Sequence, residues 1–335
     1  MRSGQIGRTV VLAAAGFTVT ALVAGCGGVK TTSSGSGEGD YPTGNIQMSV
    51  GASPGGSTDL ITRAIAEGLG KELGVSVPVV NKPGANGALN AKELQAAPAD
   101  GYKIAVQNAS LFTITPLAVS AAEAVKLDSF DLIGGVSQDD YMLAAHADSG
   151  FKSIADLKKA GKNIKYGTTG VGTGAQLASA LTFKVAGIPA TDVPFDGGAP
   201  AMTALLGRQV DVATFQLGEG IENVKAGKLV PLAVFSPDRI KYLPDVPTAK
   251  EQGYDVVVSQ YRFLTAPKGT PEDVKGKLLE AAKKTYGTDA YKKFNEANFL
   301  TPVEVPPAEV QKMLADATKK YQAQIQQYGI KLGAA

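Results

Sequence analysis

The stretch Ser49-Val50-Gly51-Ala52-Ser53-Pro54-Gly55-Gly56-Ser57-Thr58-Asp59 limits the fold more than any other. An alternating apolar run, Ile46 to Val50, leads into it and predicts a strand. Pro54-Gly55-Gly56 then breaks regular structure and lets the backbone pass close to a neighbour. Ser57, Thr58 and Asp59 are helix-capping residue types, and Leu60, Ile61, Ala64, Ile65, Leu69 and Leu73 follow on one helical face. A helix N-terminus offers unpaired N–H groups and a partial positive charge, which suit an anion. The same turn also serves as a plain strand-to-helix connection, of which α/β folds have many.

The pattern recurs along the chain. Val75 to Val80 predicts a second strand, Asn81 to Ala88 a glycine turn, and Ala88 to Ala97 a helix. Asp100-Gly101-Tyr102 leads to a strand from Lys103 to Gln107, which opens into Asn108-Ala109-Ser110. This β-α-β-α-β order predicts a parallel sheet with right-handed crossovers. Ligands of such sheets sit beyond the C-terminal strand ends. The turns Ser53–Asp59, Pro83–Gly87 and Asn108–Ser110 would therefore share one edge.

Further on, Phe130 to Val136 and Met142 to Ala145 read as extended segments, and Ser153 caps a short helix. Ile164-Lys165-Tyr166 meets the turn Gly167-Thr168-Thr169-Gly170-Val171-Gly172-Thr173-Gly174 and then a helix faced by Leu177, Leu181 and Val185. Gly170, Gly172 and Gly174 fall short of a dinucleotide fingerprint: the third glycine comes one place early, and no ribose-binding acid follows. Thr168, Thr169 and Thr173 leave a turn rich in hydroxyl donors. The turn Asp192–Pro200 precedes a helix from Ala201 to Leu206, and the strand Val210–Phe215 ends at Gln216. Ile221–Ala226 is a helix, Leu229–Phe235 a strand, and Val256–Ser259 an extended run that continues through Phe263 to Ala266. Thr270-Pro271-Glu272-Asp273 opens a helix with Thr270 as cap. Helices over Asp289–Phe299 and Ala308–Gln327 follow, the last expected to pack back on the first lobe.

Composition closes off much chemistry. The 335 residues contain one cysteine, Cys26, and one histidine, His146, so neither an internal disulfide nor a Cys/His zinc site can be built. No nucleophile elbow stands near His146, which is read as structural or exposed. A net charge of +2 implies no nucleic-acid partner. Arg2 and Arg8 precede an uncharged apolar run, Thr9 to Ala24, the pattern of an export signal. Val23-Ala24-Gly25-Cys26 resembles a bacterial lipobox. Residues 1–25 are thus expected to be a lipoprotein signal peptide, with Cys26 lipidated and residues 26–44 a flexible tether. An ordinary signal peptide or an uncleaved anchor are the alternatives.

Two facing edges of glycine-rich, hydroxyl-rich turns would make a cleft able to hold a carboxylate through amides, hydroxyls and helix fields. No trio of acid, base and nucleophile emerges, so no enzyme, metal or cofactor is expected. The expectation is a receptor that closes two lobes about a hinge. An exported sensor, or an exported hydrolase using the same cleft, are the competing readings.

The motifs also point to a family. Gly55-Gly56-Ser57-Thr58-Asp59, Asn81-Lys82-Pro83-Gly84-Ala85-Asn86-Gly87, Asp100-Gly101-Tyr102, Tyr166 to Thr173, Val193 to Ala201, Pro244-Asp245-Val246-Pro247-Thr248 and Ala266 to Pro271 occur in order. Over about Ile46 to Ile330 the chain resembles the extracytoplasmic solute receptors of tripartite tricarboxylate transporters, the Bug family. The resemblance implies a two-lobe periplasmic-binding-protein-like α/β fold, each lobe a mainly parallel sheet flanked by helices, with the ligand cleft between them. Lobe 1 would comprise residues 45–138 and 260–335, and lobe 2 residues 139–259.

It implies a small carboxylated solute and permease subunits as partners. It also implies that Ser53, Gly55, Gly56, Ser57, Thr58 and Asp59 grip the ligand with Thr168, Thr169, Gly170, Gly172 and Thr173. Asn108, Ser110, Gln176, Phe195, Gly197 and Gln216 complete the expected site. The family often has histidine at Gln176, tyrosine at Phe195, lysine at Asp196 and tryptophan near Tyr261, and a lipid tether is a variation on it. Asp59 is either a cap alone or a cap and ligand contact. Arg63 is read as a solvated or lobe-bridging charge. Arg262 is read as solvent-facing, with bidentate pairing to a carboxylate as the alternative. Tyr102, Tyr166 and Phe195 are read as turn packing, though Phe195 could also touch ligand.

Overall fold

The computed structural model describes residues 41–333. In chain order the elements are β1 (Gln47–Val50), α1 (Ser57–Leu73), β2 (Val79–Asn81), α2 (Ala88–Gln95), β3 (Lys103–Asn108), α3 (Ser110–Thr113), β4 (Phe130–His146), α4 (Ile154–Lys159), β5 (Ile164–Thr168), α5 (Gly174–Ala186), β6 (Ala190–Pro194), α6 (Gly198–Leu206), β7 (Val212–Gln216), α7 (Leu217–Lys225), β8 (Leu229–Val234), β9 (Ser259–Pro267), α8 (Glu272–Gly287), α9 (Asp289–Ala297), β10 (Thr301–Pro302) and α10 (Pro307–Tyr328).

The strands form a curled ten-stranded sheet in the order β2-β1-β3-β9-β4-β7-β5-β6, with β8 and β10 paired to β4. Two parallel runs, β2-β1-β3 and β7-β5-β6, answer the βα alternation of the sequence. Antiparallel pairing is confined to β4, β9 and their partners. β4 is one strand of 17 residues where the hydrophobic pattern suggested two extended segments. The polar run Ser137–Asp140 that hid the continuity pairs with Arg262–Ser259 of β9. From Phe130 to Asp140 β4 pairs with β9, and from Tyr141 to His146 it pairs with β7 and β8. The chain therefore steps from one half of the sheet to the other at Asp140–Tyr141.

Each half has its own cores. Ile61, Ile65 and Leu69 of α1 pack on Met48, Ile104 and Leu278 in the first half. Leu177 and Leu181 of α5 pack on Leu143, Ile164 and Phe235 in the second. Each such aliphatic side chain contributes about 1.5–3 kcal/mol on burial. α10 serves both halves: Val310 and Leu314 join a first-half cluster, and Tyr321 joins the second-half core. It thus straddles the molecule instead of returning to the first lobe alone. Together these features make a two-lobe fold of the periplasmic-binding-protein type.

Local chemistry explains the remaining differences from expectation. The N-cap of α1 is Gly56, extended and without a side-chain cap, because the Ser57 and Thr58 hydroxyls are engaged elsewhere. The N-cap of α8 is Pro271, one residue beyond the expected Thr270, whose hydroxyl donates to the Pro267 carbonyl at 2.7 Å. Ser153 does cap α4, accepting from the Asp156 amide at 3.2 Å. Tyr41, within the stretch expected as tether, donates to the Gly101 carbonyl at 2.7 Å and sets its ring edge-on to Tyr102. The expected signal peptide and Cys26 lie outside the described residues. Among the described residues no helix is long and apolar enough to cross a membrane.

Candidate functional site

A cleft of about 760 Å³, its open mouth included, lies where the two halves meet. The first half contributes the β1–α1 turn (Ser53, Gly56, Ser57, Thr58), Pro83, Gly84 and Asn86 from the β2–α2 turn, and Asn108 at the end of β3. The second contributes Thr169, Thr173, the segment Asp196–Pro200, Gln216 and Glu219, and β9 adds Gln260. The N-terminal ends of α1, α6 and α7, with N-caps Gly56, Gly197 and Gln216, all border the cleft. Their aligned peptide dipoles and first-turn amides favour negative charge, although the Gln216 and Ser57 amides already donate to Glu219. No lysine or arginine is among the lining residues, whereas Asp196 and Glu219 are.

Directly beneath the cleft lies Arg262, on β9. Its side chain is wholly buried and pairs with the equally buried Asp139 of β4, Nη2 to Oδ2 3.0 Å. Nη2 also donates to Ser57 Oγ at 3.1 Å, and Nε donates to Thr58 Oγ1 at 2.9 Å. Ser57 in turn donates to Asp139 at 2.6 Å, and Thr58 to Asn108 Oδ1 at 3.2 Å. A buried guanidinium is tolerated when its donors are satisfied, and here β4 and α1 satisfy them. The network fixes the first turn of α1, whose amides face the cleft. Burial at this position overturns the expectation that Arg262 faces solvent. The signal missed was register: Arg262 stands opposite Ser137 on β4, and a 17-residue strand was not legible through Ser137–Asp140.

Two further clamps shape the rims. Asp59 is not among the residues that line the cleft. Burial works to raise its carboxyl, but Arg63, the Gly55 amide and Asn81 outweigh that and hold it below the ordinary value. It fixes the Pro54-Gly55-Gly56 turn by accepting from Gly55 at 2.9 Å and from Asn81 at 2.7 Å. Arg63, about half exposed, is its ion-pair partner and bonds Asn81 as well. On the opposite rim, Gln176 accepts from the Gly172 amide at 2.8 Å and donates to Asp192 at 2.6 Å, while Thr168 donates to the other Asp192 oxygen at 3.0 Å. Asp192 thereby ties the β5–α5 turn to β6.

The rims also touch each other. The Gly172 carbonyl accepts from Asn86 Nδ2 at 3.2 Å and from Thr115 Oγ1 at 3.1 Å. Gly172 has φ +72°, and a Cβ there would come within 2.8 Å of the Thr115 backbone. Only glycine allows this approach.

Of the expected site residues, Ser53, Gly56, Ser57, Thr58, Asn108, Thr169, Thr173, Gly197 and Gln216 line the cleft. Gly55, Asp59, Ser110, Thr168, Gly170, Gly172, Gln176 and Phe195 lie behind it and shape it. Ser110 is held by Gln260 at 3.2 Å, and the Phe195 amide donates to the Thr168 carbonyl. Asp196 does face the cleft. Glu219, Gln260 and Ala52 line it without having been expected there, and Asn86 comes from the Pro83–Gly87 turn expected at that edge. Glu219 stands three residues after Gln216, the spacing of a capping box, and that signal could have found it.

Glu219 is the one lining group whose titration is strongly displaced. Burial first, then the Asp139 charge, push its carboxyl up to about 7, against the Gln216 amide, Arg262 and the Ser57 amide. The Gln216 amide donates to it at 3.1 Å. With the Gln216 side-chain amide assigned so that its oxygen accepts from Arg262 Nη2 at 3.1 Å, its nitrogen donates to both Glu219 oxygens at 3.1 and 3.2 Å. Among the described residues no group of three or more His, Cys, Asp or Glu side chains is placed to hold a metal ion.

Fold and cleft together define a two-lobe solute-binding protein. The sequence matches the family described as "Tripartite tricarboxylate transporter family receptor" over residues 61–330, and the chain belongs to that family. It is 34% identical over 248 residues to a UPF0065 protein of Agrobacterium vitis, covering 72% of this chain and 71% of that one. It is 28% identical over 298 residues to Protein BugT of Bordetella pertussis, covering 87% and 91%. Among solved structures it resembles the periplasmic binding protein BugD (TM-score 0.80, 27% identity, covering 88% of this chain and all of that one). It shares its fold with an R. palustris protein solved with adipate (TM-score 0.83, 23% identity, covering 88% and 100%). The chain is accordingly an extracytoplasmic solute-binding receptor of a tripartite tricarboxylate-type transporter, and not an enzyme.

Proposed function

We propose that this receptor captures a small carboxylated organic molecule between its lobes and presents it to the permease subunits of its transporter. The observation that carries this is the convergence of three helix N-termini, α1, α6 and α7, on one cleft that has hydroxyl and amide donors but no cationic lining residue. Such donors can hold a carboxylate without a fixed cation. Relatives support the reading: one solved neighbour carries adipate and another malate. Ser53, Gly56, Ser57, Thr58, Asn108, Thr169, Thr173, Gly197 and Gln216 are the residues that meet the ligand in this reading. Gly55, Asp59, Ser110, Thr168, Gly170, Gly172, Gln176 and Phe195 hold the rims that present them. The lobes, 45–138 with 260–335 and 139–259, close about the β4 and β9 crossings.

The lipid anchor at Cys26 belongs to the same proposal. It rests on Val23-Ala24-Gly25-Cys26 at the end of an uncharged apolar run. Expression of wild type and Cys26→Ser with a labelled fatty acid tests it: label should enter only the wild type and move it to the membrane fraction. For the cleft, thermal stabilisation by members of a panel of small carboxylates, without turnover, is the expected result. Chemical conversion of any member would sink the receptor role.

A further inference from the structure

We propose that Glu219 sets the ligand class of the cleft: it accepts a hydrogen bond from an ammonium or hydroxyl group on the ligand, and so selects amino or hydroxy acids over plain acids of the same skeleton. This rests on the carboxylate reading above and refines it.

The first step is that Glu219 is a fixed wall. It is the third residue of α7 and closes a capping box by accepting from the Gln216 amide at 3.1 Å. Capping interactions of this kind hold about 0.5–2 kcal/mol of helix stability. A ligand carboxylate cannot take its place without uncapping α7.

The second step is where the carboxylate sits. A Cβ on Gly198, at the start of α6, would overlap it, and one on Gly56, before α1, would lie 3.9 Å from Oε1. The Ser57 amide of the opposite lobe also donates toward it. Glu219 thus stands between the lobes, near Gly56 of one and Gly198 of the other.

The third step is charge. The nearest cation, Arg262, is committed to Asp139, Ser57 and Thr58, and reaches Glu219 only through the Gln216 amide. The second charged lining group, Asp196, is also acidic. An anionic group of the ligand facing Glu219 would meet repulsion in a partly desolvated site, whereas a donor there relieves it. The raised titration of the carboxyl agrees: burial and then the Asp139 charge outweigh Arg262 and the amides that donate to it.

The test uses the full folded receptor and matched sets of acids, each set holding a plain, a hydroxy and an amino member on the same carbon skeleton. Affinities are measured by calorimetry at pH 8, where Glu219 is ionised, for wild type and Glu219→Gln. Glutamine retains the capping box, so a merely structural role would leave selectivity unchanged. The wild type should bind the best amino or hydroxy member about tenfold or more tighter than its plain counterpart. Glu219→Gln should shrink that ratio to about threefold or less. Equal binding of plain and substituted members by the wild type overturns the inference while leaving the carboxylate reading intact. So does a preference that survives Glu219→Gln. Failure of every acid to bind overturns the carboxylate reading and this inference with it.

Discussion

Arg262 Nη2 lies 3.0 Å from Asp139 Oδ2, and solvent reaches neither side chain. The pair joins β9 to β4 at the point where β4 leaves one half of the sheet for the other. Removing one member strands a buried charge, which costs about 3–5 kcal/mol. Arg262→Met should therefore lower unfolding stability in urea by roughly that amount and also weaken ligand binding, because Ser57 and Thr58 lose their anchor. Adding Asp139→Asn to Arg262→Met should recover a large part of the loss. A double mutant no more stable than the single would show that the ion pair is not what the arginine is for.

Gly172 carries a direct contact between the rims. Alanine there would need φ +72° and would press on Thr115 at 2.8 Å. Gly172→Ala should hold the lobes apart, weaken the ligand about tenfold or more and leave the circular dichroism spectrum unchanged. Small-angle scattering with saturating ligand should show a larger radius of gyration than the wild type. An unaltered affinity would mean that closure does not need this contact.

Neighbouring threonines should separate cleft contact from scaffold. Thr169 lines the cleft, and Thr168, fully buried, donates to Asp192 at 3.0 Å. Thr169→Ala should weaken ligand binding with little change in melting temperature. Thr168→Ala leaves the half-buried Asp192 carboxylate one donor short and opens a small void at a fully buried position, and should cost about 1–3 kcal/mol of stability. Titration calorimetry and thermal melts on the two variants check this. The reverse pairing of effects would move the ligand position away from the β5–α5 turn.

The repeated strand, glycine turn and helix were legible because each is a local pattern. Val50 into Pro54-Gly55-Gly56 and Thr168 into Gly170 announce both rims without any long-range knowledge. The floor of the cleft was not legible, because it is built by register. Arg262, Asp139, Ser57 and Thr58 are far apart in sequence, and only the β4–β9 pairing brings them together. Ser137–Asp140 reads as a polar interruption, since the reason for acidic residues in a buried strand lies on another strand. Capping chemistry misled for the same reason: Ser57 and Thr58 are cap types, but their hydroxyls serve Arg262 and Asp139. Gln176 and Asp59 stand at the turns the local pattern announces; the bond of Gln176 to Asp192 comes from long-range placement, and that of Asp59 to Arg63 from local helical spacing.

The pH dependence of the ligand-free protein should carry the signature of Glu219. Its carboxyl moves from the ordinary 4.5 to about 7 on folding, through burial and the Asp139 charge. Between those values the folded state holds more protons than the unfolded one, so stability falls as pH rises through that window. The charged groups acting on it are Asp139 and Arg262, which pair with each other, while Asp196 lines the same cleft. Glu219→Gln keeps those groups and the cap but cannot titrate. The variant should be more stable than the wild type at pH 8, by on the order of 1–3 kcal/mol, and the difference should close toward pH 5. Comparing the two proteins cancels every other titrating group they share. A difference that stays constant across the range would show that Glu219 is ionised throughout, with the three helix N-termini supplying enough compensation to hold its charge.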